Sequence, residues 1–415
     1  MSLEYYVLIA GLIFGFYMSW NIGANDVANS MASAVGAKAI TIKQAIVLAG
    51  VLNIVGAAFI GSHVAKTISK GIVSTEVLAD PHAMLLGSLS ALLSSALWIS
   101  FATWKSLPVS TTHSIVGAMI GFGIMVGGFD VIKWGKVLMV VASWVISPFF
   151  SFIIAFFLFK FIVKAILSKQ DAFSKALNYA PVFIGMTIFV VVLSFLFKTP
   201  MGKNLSLNTY TAIMAALIIA VILGITGTMA LKYFVKNRQE NDAEPIFKRI
   251  QVGTACYVAL AHGSNDVANA IGPLAVIYSL AKPGIDIAAM DSVGTSVQVP
   301  FFLLLFGGVG IACGIAMAGA RVMDTIGRKI TTLTNARGFA VEFAAATTVM
   351  FASKLGLPVS TTHAAVGGVL GVGMARGIEA VNFRIVYKIM LYWILTVPAA
   401  AVTSMIIFKI LQLFL

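Results

Sequence analysis

Charge is the scarcest property of this chain. Of its 415 residues only 10% are Asp, Glu, Lys or Arg, and just 15 are acidic. A soluble domain carries roughly 25% charged residues, so an ordinary water-facing surface is excluded. Cysteine is nearly missing. Cys256 and Cys313 stand apart in apolar segments, which excludes a disulfide framework or a thiolate metal cluster and leaves two small buried residues. Neither a His-Glu-x-x-His motif nor a nucleophile–base pair occurs, so hydrolytic chemistry has no visible machinery. Early cations are also absent. Glu4 is the only early charge and Lys38 the first basic residue, so no cleavable signal peptide with a basic leader is expected.

What fills the chain instead is apolar: 60% of residues are hydrophobic. Long apolar runs recur, among them Ala83–Phe101, Val137–Phe161, Ala212–Leu231, Phe301–Ala318 and Ile385–Leu413. About 20 such residues carry a helix across a bilayer core. In lipid only helices and closed barrels satisfy the backbone, and these runs are continuous rather than alternating, which favours helices over a barrel. The expectation is an all-α integral membrane protein. Its net charge of +13 then reads as Lys and Arg in cytoplasmic loops, with no nucleic-acid partner.

The chain repeats itself. Leu107-Pro-Val-Ser-Thr-Thr-His113 returns unchanged as Leu357-Pro-Val-Ser-Thr-Thr-His363, and Gly117, Gly121, Gly123 and Gly127 match Gly367, Gly371, Gly373 and Gly377. Upstream, Gly23-Ala-Asn-Asp-Val-Ala-Asn-Ser30 corresponds to Gly263-Ser-Asn-Asp-Val-Ala-Asn-Ala270. Two motifs in the same order twice mean a duplication. Residues 1–175 read as a first membrane repeat, 176–250 as connecting helices with a charged loop, and 251–415 as a second repeat. The charged stretch Lys232–Arg249 and the basic stretch around Lys160, Lys164, Lys169 and Lys175 read as cytoplasmic. With no cation near the N-terminus, both termini are placed outside. Each Asn-Asp motif is then approached from the opposite side of the membrane, the inverted-topology repeat typical of secondary transporters.

The motifs suggest chemistry. Proline 108 with Ser110, Thr111 and Thr112 marks the start of a short, Gly-rich, broken or re-entrant helix. Such an end offers N–H groups, a positive dipole and three hydroxyls to an anion. Ser360, Thr361 and Thr362 repeat the offer, and two facing tips would hold one tetrahedral oxyanion. Plain helix capping is the competing explanation. Asn25, Asp26 and Asn29, with Asn265, Asp266 and Asn269, put one carboxylate and two amides in each of two membrane segments. Ionisable groups at that depth mark ion or substrate pathways, and these oxygens suit a hard cation such as sodium. Here too interfacial caps are the alternative. No Lys or Arg falls inside any of the four motifs; Lys38, Lys105 and Lys354 read as snorkelling to an interface. Two carboxylates plus an oxyanion would need bound cations, and that need is itself a coupling mechanism. Glu342 lies in an apolar run, where it either takes part in coupling or pairs with Arg337. His113 and His363 read as structural hydrogen-bonding groups before proton relays. His63, His82 and His262 have no duplicate partners and carry no reading.

At these residues the chain resembles the inorganic phosphate transporter family, whose signatures look like Gly-Ala-Asn-Asp-Val-Ala-Asn and Pro-Val-Ser-Thr-Thr-His. The resemblance implies an inverted-repeat fold of about twelve membrane segments with re-entrant hairpins. It implies phosphate at Ser110, Thr111, Thr112, Ser360, Thr361 and Thr362, and sodium at Asn25, Asp26, Asn29, Asn265, Asp266 and Asn269. Glu342 matches a family carboxylate, while Asn53 and Ser88 stand where sodium-coupled animal members carry glutamates. The implied activity is sodium–phosphate symport in the plasma membrane, with no enzymatic reaction and no covalent cofactor. Proton-coupled carriage of phosphate, metal-phosphate or sulfate is the alternative within the family, and a homo-oligomer is compatible with it. The orientation has a direct check. A cysteine placed at Asn241 should react only with reagents delivered from the cytoplasm; labelling by an impermeant reagent outside intact cells would reverse the topology.

Overall fold

The computed structural model describes residues 3–61, 81–198, 202, 205–235, 242–281, 299–354 and 359–414. His63, residues 236–241 of the charged stretch (Asn241 included), Leu357 and Pro358 lie outside the described residues, as does the side chain of Lys354. Among the described residues twelve helices account for nearly everything: α1 Leu3–Gly36, α2 Ile42–Ile60, α3 Pro81–Trp104, α4 Thr111–Gly127, α5 Trp134–Ile162, α6 Ala172–Lys198, α7 Thr209–Phe234, α8 Glu244–Leu280, α9 Phe301–Asp324, α10 Asn335–Lys354, α11 Thr361–Arg376 and α12 Phe383–Phe414. The all-helical, inverted-repeat architecture expected from the sequence is the one observed.

Eight of the twelve are long and apolar enough to cross a bilayer. The other four are α4, α8, α10 and α11, and between them they carry Thr111, Asp266, Glu342 and Thr361. Those helices fall short because they are brief or hold polar groups, which buried neighbours must shield. The eight have the opposite surface. On α5 Leu138, Val145, Phe149 and Phe157 are exposed, and on α7 Leu217, Ile218, Val221 and Ile222 are, as a lipid-facing side requires.

The two halves embrace. Helix α1 packs along α9 while its counterpart α8 packs along α2; α4 packs on α12 while α11 packs on α5. Glycines set the spacing. A Cβ on Gly23 would strike the carbonyl of Ile311, and one on Gly263 would strike that of Asn53. Gly314 lies on the Trp20 carbonyl and Gly56 on that of Leu260. Because Gly23 corresponds to Gly263 and Trp20 to Leu260, these are the same two contacts made twice. Small residues allow such backbone approach in membranes, where packing drives association. Direction follows as well. Gly11 faces Ile277 and Gly15 faces Leu274, so numbering rises along α1 as it falls along α8. The equivalent helices are antiparallel, which is the inversion.

Proline and hydroxyl punctuation shapes the rest. Ser110 and Ser360 cap α4 and α11 by accepting from the His113 and His363 N–H groups at 3.2 Å each. Gly128 (φ +75°) and Gly377 (φ +124°) end the same helices, in backbone that β-carbons disfavour. Helix α4 is 17 residues long, about 25 Å at 1.5 Å per residue. It packs back along α3 as the second arm of a hairpin, and α11 does the same with α10. Pro148 and Pro398 interrupt the middle of α5 and α12, the helices that brace these hairpins.

The glycine contacts predict a selective sensitivity. Gly23→Ala or Gly314→Ala should lower stability by about 1–3 kcal/mol, the usual cost of overpacking. Gly135→Ala, where a Cβ meets nothing within 4 Å, should leave it unchanged. Thermal melting of purified protein in detergent checks this; equal melting of all three would remove the packing argument.

Candidate functional site

The hairpin tips meet between α1 and α8. Thr362 Oγ1 donates to the Val109 carbonyl at 3.1 Å, so the second tip touches the first. Around this junction the halves exchange partners. Asn29, from the first half, donates through Nδ2 to Thr361 Oγ1 (3.1 Å) and Thr362 Oγ1 (3.0 Å) of the second. Asn269, from the second, donates to Thr111 Oγ1 (3.1 Å) and Thr112 Oγ1 (3.4 Å) of the first. The hydroxyls in turn donate hydrogen bonds to the carboxylates. Thr111 donates to Asp26 Oδ2 at 2.7 Å, Thr361 to Asp266 Oδ2 at 3.1 Å, and Thr362 also reaches Asp26 Oδ1 at 3.4 Å. Each Asn is thus tied to the opposite half's hydroxyls, and each carboxylate to a hydroxyl of its own half, with Thr362 of the second half also reaching Asp26.

Eight of the twelve motif residues named from sequence come together here: Asp26, Asn29, Thr111, Thr112, Asp266, Asn269, Thr361 and Thr362. The remaining four stand a step back. Asn25 donates to Thr103 Oγ1 (2.9 Å) and the Leu107 carbonyl (3.1 Å) and accepts from Val109 N–H (3.0 Å). Its amide is taken up in bracing the first tip. Ser110 and Ser360 are occupied as helix caps, and Asn265 donates to the adjacent Asp266 Oδ1 at 2.7 Å.

Glu342 forms a separate pocket. It accepts from Ser33 Oγ and Thr254 Oγ1, both at 2.5 Å, and from Gln251 Nε2 at 3.3 Å. Arg337 does not pair with it. That guanidinium donates to the Thr332 carbonyl and lies over Phe159. Ser33 is seven residues beyond Asp26 on α1, about 10 Å along the helix, so Glu342 is a neighbour of the centre and no part of it.

His262 carries no reading from sequence, yet it sits in the middle. Its Nε2 is 2.9 Å from Asp266 Oδ2 and 3.9 Å from Asp26 Oδ2. Nδ1 is held 2.7 Å from Asn53 Oδ1. Asp26, His262 and Asp266 bring ligand atoms within 4.8 Å of one another. By the repeat, His262 corresponds to Ile22 and Asn53 to Ile311, so the equivalent contact of α1 with α9 has an apolar pair in the same place. A search for duplicated residues therefore passes over it; the one available signal was a histidine four residues before a membrane aspartate. His113 and His363 form a different unit. Their rings meet edge to face at 4.4 Å, each stacked on a tryptophan, Trp144 at 3.5 Å and Trp393 at 3.6 Å.

Chemically, the centre combines two carboxylates, several hydroxyls and the carbonyl oxygen of Asn29, which is buried without a hydrogen-bond partner. These are hard oxygen donors of the kind that hold alkali and alkaline-earth cations. The starts of α4 and α11 add positive helix ends suited to an oxyanion. Among the described residues, none of the hydrogen-bond partners of these side chains is a lysine or arginine.

Residues 22–404 match the model of a family described as the phosphate transporter family. The chain belongs to that family. Relatives extend across its length. A candidate phosphate permease of Pyrococcus abyssi is 47% identical over 97% of this chain and 98% of its own. The chloroplastic inorganic phosphate transporter 2-1 of Arabidopsis thaliana is 40% identical over 96% of this chain and 71% of its own. A solved structure named the sodium-dependent phosphate transporter superposes with a TM-score of 0.87 at 42% identity, covering 99% of this chain and 100% of the other. Like the rest of the family, the chain is a multi-pass membrane transporter and no enzyme.

The asymmetry at His262 can be tested inside this family fold. A double variant, His262→Ile with Asn53→Ile, copies the Ile22–Ile311 pair of the equivalent α1–α9 contact and should insert and fold. Its phosphate uptake should fall at least about tenfold, because an unpaired buried carboxylate costs well over 1 kcal/mol. Uptake above half the parental rate would make His262 dispensable.

Proposed function

We propose that the chain imports inorganic phosphate across the plasma membrane by sodium symport, alternating access around the centre between the hairpin tips, with both termini outside. Residues 1–175 and 251–415 act as the two inverted repeats and 176–250 as the connection. The observation that carries this reading is the reciprocal clamp, in which Asn29 grips Thr361 and Thr362 while Asn269 grips Thr111 and Thr112. Phosphate would take hydroxyls and N–H groups from both tips, with Thr111, Thr112, Thr361 and Thr362 nearest and Ser110 and Ser360 beneath them. Sodium would take the oxygens of Asp26, Asn29, Asp266 and Asn269, with Asn25 and Asn265 supporting.

Charge supplies the coupling. Phosphate beside Asp26 and Asp266 makes a strongly negative cluster in a low-dielectric surrounding, and burying it unpaired is prohibitive. Sodium ions entering with the phosphate remove that cost and leave with it, which a fixed arginine could not do. The superposable relative named for sodium dependence supports this choice. One observation favours a second reading. His262 stands between the two carboxylates, and a proton held there would do part of the work of a sodium ion. Proton-coupled phosphate transport follows from that.

Proteoliposomes decide between them. An inward sodium gradient at equal pH should drive phosphate uptake above equilibrium, whereas potassium should not replace it. A pH gradient that suffices without sodium would turn the reading to proton coupling. In the same assay Asp26→Asn and Asp266→Asn keep size and hydrogen-bonding capacity while removing a charge. Each should weaken sodium-dependent phosphate binding at least about tenfold, or roughly 1.4 kcal/mol, with insertion intact. If both variants keep near-normal sodium dependence, the aspartates are caps and not cation ligands.

A further inference from the structure

One face of α8 is lined by cavities from Arg249 to His262. Between α6, α7 and α8 lies a cavity of about 230 Å³, bordered on α8 by Arg249, Gly253, Thr254 and Tyr257. A Cβ on Gly253 would meet nothing within 4 Å, so the wall there is open. Further along the same helix a second cavity, of about 30 Å³, is bordered by Tyr257, Ala261 and His262, and also by Asn29 and Thr361. The positions 250, 253, 254, 257 and 261 share one helical face. From Arg249 to Tyr257 is about 12 Å along the axis, and from Tyr257 to His262 about 7 Å more.

Tyr257 belongs to both cavities. Its hydroxyl is 2.7 Å from Ser194 Oγ on α6, and Ser194 also borders the inner cavity. That hydrogen bond ties α8 to α6 at the residue shared by a chamber at the α7–α8 end of the molecule and one that touches the centre. The outer chamber also adjoins the Glu342 pocket, since Thr254 lines it and donates to Glu342. At its mouth Arg249 is steadied by the Phe234 carbonyl (3.3 Å) and ring (5.6 Å), a guanidinium placed where an oxyanion would leave or arrive.

We propose that this face of α8 is one leg of the permeation path, and that the hydrogen bond between Tyr257 and Ser194 is its gate. The path opens on the side of the membrane where α7 ends and α8 begins. Phosphate leaving Thr361 and Asn29 passes Ala261, crosses between Tyr257 and Ser194 when they part, and then meets the hydroxyl of Thr254 and the guanidinium of Arg249. Tyr257 is a positioning residue: it sets when α6 and α8 separate and need not hold the ion. The proposal rests on reading the centre as the phosphate site.

Accessibility measurements test it without relying on transport. In a parent with Cys256→Ala and Cys313→Ala, single cysteines are placed at Gly253 and Ala261, or at Val258 (which borders the same inner cavity) should Ala261→Cys disturb the fold. A small anionic methanethiosulfonate reagent is applied to each side of reconstituted protein. Gly253→Cys should react from the α7–α8 side, and the inner cysteine much more slowly. Adding Tyr257→Phe should speed the inner cysteine about fivefold, the population shift expected from losing one hydrogen bond, and leave Gly253→Cys unchanged. A merely structural tyrosine would alter melting without changing the ratio of the two rates. An inner rate indifferent to Tyr257→Phe overturns the gate. Reaction of Gly253→Cys only with a lipid-soluble maleimide overturns the path and makes the outer cavity a lipid groove. Phosphate uptake by the parent protein, measured separately, tells failure of the gate from failure of the phosphate reading.

Discussion

Asp26 and Asp266 face each other across the middle of an apolar protein, and most of the structure can be understood as a response to that. Their ligand atoms and that of His262 lie within 4.8 Å of one another. At this spacing two unit negative charges repel by about 3–4 kcal/mol at an effective dielectric of 20, before any cost of burial. The hydroxyls of Thr111, Thr361 and Thr362 donate to the pair, and His262 bridges it. A donor that serves a carboxylate must itself be held in place, and Asn29 and Asn269 do this from the opposite half. The exchange between halves follows: neither half can satisfy its own aspartate and fix its own hydroxyl with the residues it supplies.

Backbone geometry answers the same constraint. Thr111 and Thr361 reach the centre because α4 and α11 begin there, and helices can begin inside a membrane protein only where protein shields the free backbone groups. The shield is made by α1 and α8 pressed against α9 and α2, closely enough that Gly23, Gly56, Gly263 and Gly314 lie on neighbouring carbonyls. Larger residues there would push α1 and α8 from their partners and alter the gap in which the tips meet. Glycine packing in the helix bundle is therefore tied to hydroxyl placement at the site.

Much of this was legible in the sequence, for a definite reason. Duplication writes each important feature twice, so the Ser-Thr-Thr-His and Asn-Asp segments stood out against an otherwise apolar text. The residues the sequence hid are those the duplication does not repeat. His262 has Ile22 as its counterpart and Asn53 has Ile311, so a pairwise search discards both. Tyr257 and Ser194 lie 63 residues apart, on helices whose packing no local pattern announces. Glu342 was visible as a costly carboxylate, but its partners Ser33, Gln251 and Thr254 come from two other helices, and the nearby Arg337 turned elsewhere. Even Asn25, indistinguishable from Asn29 by composition, proved to brace a loop. Four residues separate them, about one helical turn, and sequence does not say which lies nearer the tip.

The departures from symmetry acquire meaning once the symmetry is known. A perfect inverted repeat would present the same face to both sides and hold the centre with two equal half-sites. Here the contact of α8 with α2 carries a polar pair, His262 with Asn53, where the equivalent contact of α1 with α9 carries Ile22 with Ile311. The same α8 carries the cavity-lined face that leads from Arg249 past Tyr257 to His262. Polar groups beside a path lower the cost of moving a charge along it, and aliphatic groups raise that cost. The two approaches to the centre are therefore energetically unequal even though the helices that build them are equivalent. The few unmatched polar residues, and not the repeated helices, are therefore what distinguishes one side of the centre from the other.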